Sequence, residues 1–211
     1  HVLMAAPHWG PGPADDPAPS NDVPVEPIAT VPAKRDVVVA VLDTGIAEHP
    51  WFTDRKWFAA CGDDVREAPD TDGDAQLDSV AGHGTFIAGV VLQQAPEANI
   101  HVGRIITGDG TTDEVALLRG LSKLRAQARK SATPIDIISL SLGCYTHDDR
   151  PSPVLEHAFN SIDTDTVVVC CAGNSASDRP FWPAALKRVI AVTSLDRQGR
   201  DRATFRNYGW W

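Results

Sequence analysis

The sequence has no run approaching about 20 apolar residues, so it contains no candidate membrane-spanning helix. It has no C-x-x-C pair, which excludes a zinc ribbon and a thioredoxin-type redox motif. It has no H-E-x-x-H spacing either: His49, His101 and His147 stand apart, whereas a catalytic zinc wants three converging protein ligands. No internal repeat is present. Basic residues are in deficit, 19 Lys and Arg against 28 Asp and Glu, and the net charge of -9 argues against nucleic acid or an anionic membrane as partner. The first residue is His1, not Met, so the lack of a leader peptide says nothing about location.

Four cysteines are present. Cys170 and Cys171 are adjacent in an apolar run and read as small hydrophobes on opposite faces of a strand. Cys61 and Cys144 fall in loop-like sequence and could form a disulfide if their loops meet.

The 211 residues suffice for one α/β domain with a sizeable core plus a tail. Residues 1–34 are proline-rich and read as an extended arm or linker. The pattern then changes. "DVVVAVLDTG" is an unbroken β-branched run ending at Asp43, as expected of a strand buried on both faces of a parallel sheet. Residues 46–81 read as a polar loop with an aromatic patch at Trp51, Phe52, Trp57 and Phe58. Helices are expected over about 83–94, 112–131 and 153–162, and further strands over 100–106, 135–143, 166–174 and 188–195. Alternating strands and helices imply an α/β fold, a mainly parallel sheet with helices on both faces. Ligands of such sheets bind beyond the carboxyl ends of the strands, which directs attention to Asp43, Gly143 and Asn174.

A carboxylate at the end of a buried strand must be paired or hydrogen-bonded, and a histidine suits Asp43. His83 stands between two glycines at the mouth of an apolar helix, where nothing bulky crowds its ring. Asp and His together form the orienting and proton-accepting parts of a nucleophilic triad. The side-chain amide of Asn174 can donate to a developing oxyanion.

"VAVLDTGI", "GHGTFIAGVV", "SLSLG" and "AGNS" occur in that order at α/β spacing. In this the sequence from residue 36 onward resembles the subtilisin-like serine peptidases, the subtilase family. The resemblance implies a subtilisin-like domain over residues 35–211, with roles for particular residues. Asp43 orients the histidine, His83 is general base and then acid, and Asn174 is the side-chain donor of the oxyanion hole. Ser139, Leu140, Ser141, Leu142 and Gly143 form one wall of the substrate cleft, and Arg104 to Gly110, Gly108 among them, form the other. The substrate is a polypeptide lying between them as an added strand. No cofactor is required, and the setting is secreted or extracytoplasmic. "DRATFRNYG" resembles the family's A-x-F-S-N-Y-G, with Arg206 where serine is common.

The family's nucleophile sits in G-T-S-x-A-x-P, downstream of N-Y-G, and these 211 residues contain no such motif. Ser139, Ser141, Ser175 and Ser194 lack its flanking residues. The expectation is therefore a domain missing its C-terminal part and inactive alone, with the serine on a missing segment or a separate chain. The alternatives are a non-catalytic remnant, a peptide-binding module, or one half of a split peptidase. Without the helix that the serine normally starts, strands 135–142 and 166–172 are expected to expose apolar surface.

"DTDGDAQLD" places Asp70, Asp72, Asp74 and Asp78 close together. The spacing does not match an EF-hand, which wants Gly at its sixth position. A solvated acidic turn is the plainer reading. A structural calcium, as subtilases often bind, is the other.

Overall fold

The computed structural model describes residues 2–4, 28, 35–196 and 198–211. Apart from these, the proline-rich 1–34 arm lies outside the described residues. In chain order the elements are β1 (Val2–Met4), β2 (Val38–Asp43), α1 (Lys56–Ala59), a 3₁₀ turn (Asp63–Val65) and α2 (His83–Gln94). They continue with β3 (Asn99–Arg104), β4 (Thr111–Asp113), α3 (Glu114–Ser131), β5 (Ile137–Leu140), α4 (Pro153–Asn160), β6 (Val167–Cys171) and β7 (Val189–Val192). β1 pairs antiparallel with β4.

The main sheet has the order β3-β2-β5-β6-β7, and every neighbouring pair is parallel. The chain leaves β2 through α2 to reach β3 on one side, then returns through α3 to β5 on the other. The winding reverses at β2, and the crevice outside its carboxyl end is the favoured ligand position for this topology. Asp43 is the last residue of that strand.

Alternation along the strands separates two cores. Ala40, Leu42, Ile138, Leu140, Val168 and Cys170 face one layer, packed against Leu117, Leu121 and Leu124 of α3 and Leu155 and Phe159 of α4. Val39, Val41, Ile100 and Val102 face the other, packed against Ala88 and Leu92 of α2 and the aromatics Trp51, Phe52 and Phe58. Helices cover both faces, as expected. The long α3 has local reasons to form. Its N-cap Asp113 accepts from Ala116 N at 2.7 Å, Arg129 and Lys130 sit in its last turn, and Ala132 ends it in a left-handed conformation.

The expected strands are shorter than their apolar runs, because β5 and β6 end at Leu140 and Cys171 and the chain turns outward there. The 46–81 loop carries α1 and a packed aromatic cluster, with Trp57 and Phe58 edge-on at 5.8 Å. The loops of Cys61 and Cys144 do not meet, and all four cysteines are free. Cys61 packs on the α2 side of the sheet and Cys144 on the α3 side, so the sheet itself separates them. Of the two strands expected to expose apolar surface, 166–172 does so at Val167 and 135–142 does not, and the remainder lies on β7. Every β5 residue is at least partly covered, whereas Val167 of β6 and Ile190 and Val192 of β7 are 41%, 54% and 51% exposed. By strand register Ile190 lies on the same face as Val41 and α2. α2 covers only the β2–β3 half of that face.

Leu42 is fully buried and fills the space over Gly103 and Gly120. Truncating Leu42→Ala is expected to destabilise the fold by about 2–5 kcal/mol, read from denaturant unfolding midpoints.

Candidate active site

The end of β2 and the start of α2 meet through a small set of hydrogen bonds. His83 Nδ1 lies 2.7 Å from Asp43 Oδ1. The same oxygen accepts Thr44 N at 2.8 Å. The Asp43 side chain is 1% exposed and the His83 side chain 25% exposed. With Nδ1 engaged by the carboxylate, Nε2 is the nitrogen left to exchange a proton. The hydrogen bond that His83 donates to Asp43 holds the imidazole above the ordinary histidine value, against the opposing effect of burial; the charges of Asp43 and Glu67 add to it.

The glycines around His83 have two different physical roles. Gly82 is the N-cap of α2, with φ +85°, a left-handed conformation that other residues resist. Gly84 has no room for a side chain: a Cβ there would collide with the Gly45 carbonyl oxygen and crowd Asp43 Cβ. The helix start is therefore pressed directly onto the loop that follows Asp43, and this brings the imidazole within bonding distance.

Glu67 fastens that contact, and sequence reasoning did not single it out. Its Oε1 accepts Thr44 Oγ1 at 2.6 Å and Gly82 N at 2.7 Å, and its Oε2 accepts Thr85 Oγ1 at 2.9 Å. Thr44 Oγ1 in turn accepts Gly84 N at 2.9 Å. One carboxylate thus ties the residue after Asp43 to the residues on both sides of His83. No motif signals it, because Glu67 lies in loop sequence well before His83 and only folding brings it there.

Asn174 lies exposed just beyond β6. Its loop is held by Asn207, a second residue that sequence reasoning left without a role. Asn207 is 1% exposed. Its Oδ1 accepts Ser175 N and Ser177 N at 2.9 and 3.1 Å, and its Nδ2 donates to Ala172 O and Tyr145 Oη at 2.9 and 2.6 Å. Its signal was available in the "RNYG" stretch that resembles the family motif.

Of the expected cleft residues, Ser139 lies inside the sheet, paired with Val41 and Val169, and Leu140 pairs with Cys170. Leu140 and Leu142 are buried in the α3-side core. The segment that leaves the sheet is Ser141–Gly143, and Cys144 then pairs antiparallel with Trp182. On the far side, Gly108 O accepts Val80 N at 3.0 Å, and the Asp78 carboxylate lies against the Gly108 backbone. Asp70, Asp72 and Asp78 each offer a carboxylate oxygen, and these lie within 4.8 Å of one another; Asp74 is outside that group. The loop also satisfies itself, since Asp70 accepts Gly73 N and Ala75 N at 2.7 and 3.0 Å.

None of the cysteines is an activated thiol. Burial raises all four, and it pushes Cys171 up to about 11, far from the range of a nucleophilic thiolate.

The elevated His83 value has a definite sign in stability. The charged pair stabilises the fold fully below the ordinary histidine value of about 6.5, and the contribution is lost as pH rises through the folded value. Asp43→Asn is expected to lower the His83 pKa and remove that acid-side contribution. NMR titration of the imidazole, with melting temperature followed against pH, checks both.

The subtilase family model matches residues 34–211. The chain is 30% identical over 186 residues to the thermophilic serine proteinase of Bacillus sp. (strain AK1), covering 82% of this chain and 41% of that protein. It is 31% identical over 183 residues to subtilisin BL of Lederbergia lenta, covering 82% and 60%. Among solved structures, proteases from Pseudoalteromonas arctica PAMC 21717 align with a TM-score of 0.62 at 25% identity, over 82% of this chain and 60% of that one. A mutant of the protease domain of PatA aligns with a TM-score of 0.61 at 26% identity, over 82% and 62%. The chain thus spans between 41% and 60% of the length of these two curated relatives. Its ordered motifs, its parallel sheet and the match over residues 34–211 agree, and the chain belongs to the subtilase family.

Proposed function

We propose that this chain forms the Asp- and His-bearing part of a serine endopeptidase that cleaves polypeptides. The observation that carries the reading is the 2.7 Å contact between Asp43 and His83 Nδ1 at the carboxyl end of the central strand. Asp43 fixes the tautomer, so that Nε2 carries the lone pair. Nε2 takes the proton from a serine hydroxyl as its oxygen attacks the scissile carbonyl carbon. The resulting imidazolium is stabilised by Asp43, consistent with the elevated His83 value. His83 then returns the proton to the departing amine, and water releases the acyl group by the same steps in reverse. Asn174 donates to the oxyanion, on a loop that Asn207 holds in place.

The attacking serine belongs to a G-T-S-x-A-x-P segment outside these 211 residues, in the same polypeptide or in a second chain. The exposed apolar stripe of Val167, Ile190 and Val192 supports this, since it is a face suited to cover by a further helix. Ser139 supports it in another way: held between β2 and β6, it is not placed to attack a bound peptide.

A fluorophosphonate probe, which reacts with activated serines, is expected to label the protein when the G-T-S-x-A-x-P segment is present and to leave residues 1–211 alone unlabelled. Labelling of any serine within these residues overturns the reading. In the complete protein, Asn174→Ala is expected to lower kcat by about 10²–10³ with little change in KM, a magnitude measured in subtilisin itself.

The proposed chemistry needs no cofactor. A structural cation is a separate matter, and the convergence of Asp70, Asp72 and Asp78 offers hard oxygen ligands of the type calcium takes. With calcium bound there, the melting temperature rises on calcium addition and Asp72→Ala abolishes the rise. A melting temperature indifferent to calcium assigns the loop as an acidic turn held by its own hydrogen bonds.

A further inference from the structure

The chain leaving β5 and the chain leaving β6 both reach a glycine at the crevice, Gly143 and Gly173. Each glycine leaves room beside its backbone, and the ring of Phe181 packs against both. A Cβ at Gly143 would collide with three atoms of that ring; a Cβ at Gly173 would collide first with Asn207 Nδ2 and come within 3.1 Å of two ring atoms of Phe181. Phe181 is 8% exposed.

The ring is held from behind. Trp182, the next residue, pairs with Cys144 through two backbone hydrogen bonds of 2.8 and 2.9 Å, fixing Phe181 beside Gly143. Tyr145 meets the ring edge-on at 5.1 Å. The Tyr145 hydroxyl is anchored by Asn207, and Arg179 lies over its ring at 5.3 Å. Arg179 is tied in turn to Thr146 O and Asp149. Phe181 therefore cannot swing aside without disturbing the support of the Asn174 loop.

The position matters because Asn174 directly follows Gly173. Resting on the peptidase reading above, the carbonyl under attack is the one that Asn174 polarises. The side chain of the residue contributing that carbonyl branches one bond away from it. We propose that this side chain is directed at the space beside Gly143 and Gly173 that the Phe181 ring occupies, so that Phe181 closes the pocket on the acyl side of the scissile bond and restricts cleavage to bonds that follow glycine or alanine. In this role Phe181 determines specificity by volume and takes no part in the chemistry.

The test uses the complete protein with its serine-bearing segment and internally quenched peptides that differ only in the residue before the scissile bond: Gly, Ala, Leu, Phe or Lys. Gly and Ala are expected to exceed Leu, Phe and Lys in kcat/KM by about tenfold or more, within the range that pocket-size discrimination provides. Phe181→Ala is expected to raise cleavage after Phe and Leu relative to Gly and Ala, a ratio read within the one variant so that any change in its overall activity cancels. A wild-type protein that is labelled yet prefers Leu, Phe or Lys overturns the pocket assignment alone. A complete protein that neither reacts with the probe nor cleaves any peptide overturns the peptidase reading and the pocket with it. The wild-type profile decides by itself, so the result does not depend on the variant folding.

Discussion

A carboxylate buried at the end of a central parallel strand must find hydrogen-bond donors within the protein, and Asp43 finds Thr44 N and the His83 ring. The surrounding structure follows from that requirement. α2 must begin close enough for its first residue to reach the strand end, so Gly84 lacks a Cβ and Gly82 takes a left-handed backbone. The two segments must not drift apart, and Glu67 ties them through Thr44, Gly82 and Thr85. The result is a partly exposed imidazole with Nδ1 fixed by the carboxylate, at the strand end where the sheet reverses its winding.

The second half of the site is built by a different device. Asn207 is a neutral amide whose oxygen and nitrogen are each used twice, on Ser175, Ser177, Ala172 and Tyr145. It turns the irregular chain after β6 into a rigid shelf for Asn174. The cost of burying an amide is offset by full satisfaction of its donors and acceptors. The same network carries Tyr145 and, through it, Phe181. Asn174 and Phe181 thus rest on one scaffold, joined through Asn207 and Tyr145.

The sequence gives a sound reading where chemistry is local and periodic. The β-branched run through Leu42, the helix beginning at His83 and the amphipathic α3 appear at nearly the expected bounds. Strand ends were less readable, because "SLSLG" and "TVVVCCAGN" stay apolar after pairing stops: Leu142 and Ala172 remain buried outside the strands. Cys61 and Cys144 look equivalent along the chain, but the sheet lies between them. Glu67, Phe181 and Asn207 act through neighbours distant in sequence, and no spacing rule reports such contacts.

The sequence alone determined the family and the order of the motifs, and it singled out Asp43 and His83 as a candidate pair, since these rest on residue types at short fixed spacings. Only the tertiary structure decided that the two side chains bond through Nδ1, that Glu67 braces them, that the open apolar stripe lies on β6 and β7, and that an aromatic ring packs against both Gly143 and Gly173. The physical reason is that hydrogen bonds and packed volume depend on distances across the fold, which connectivity along the chain does not specify.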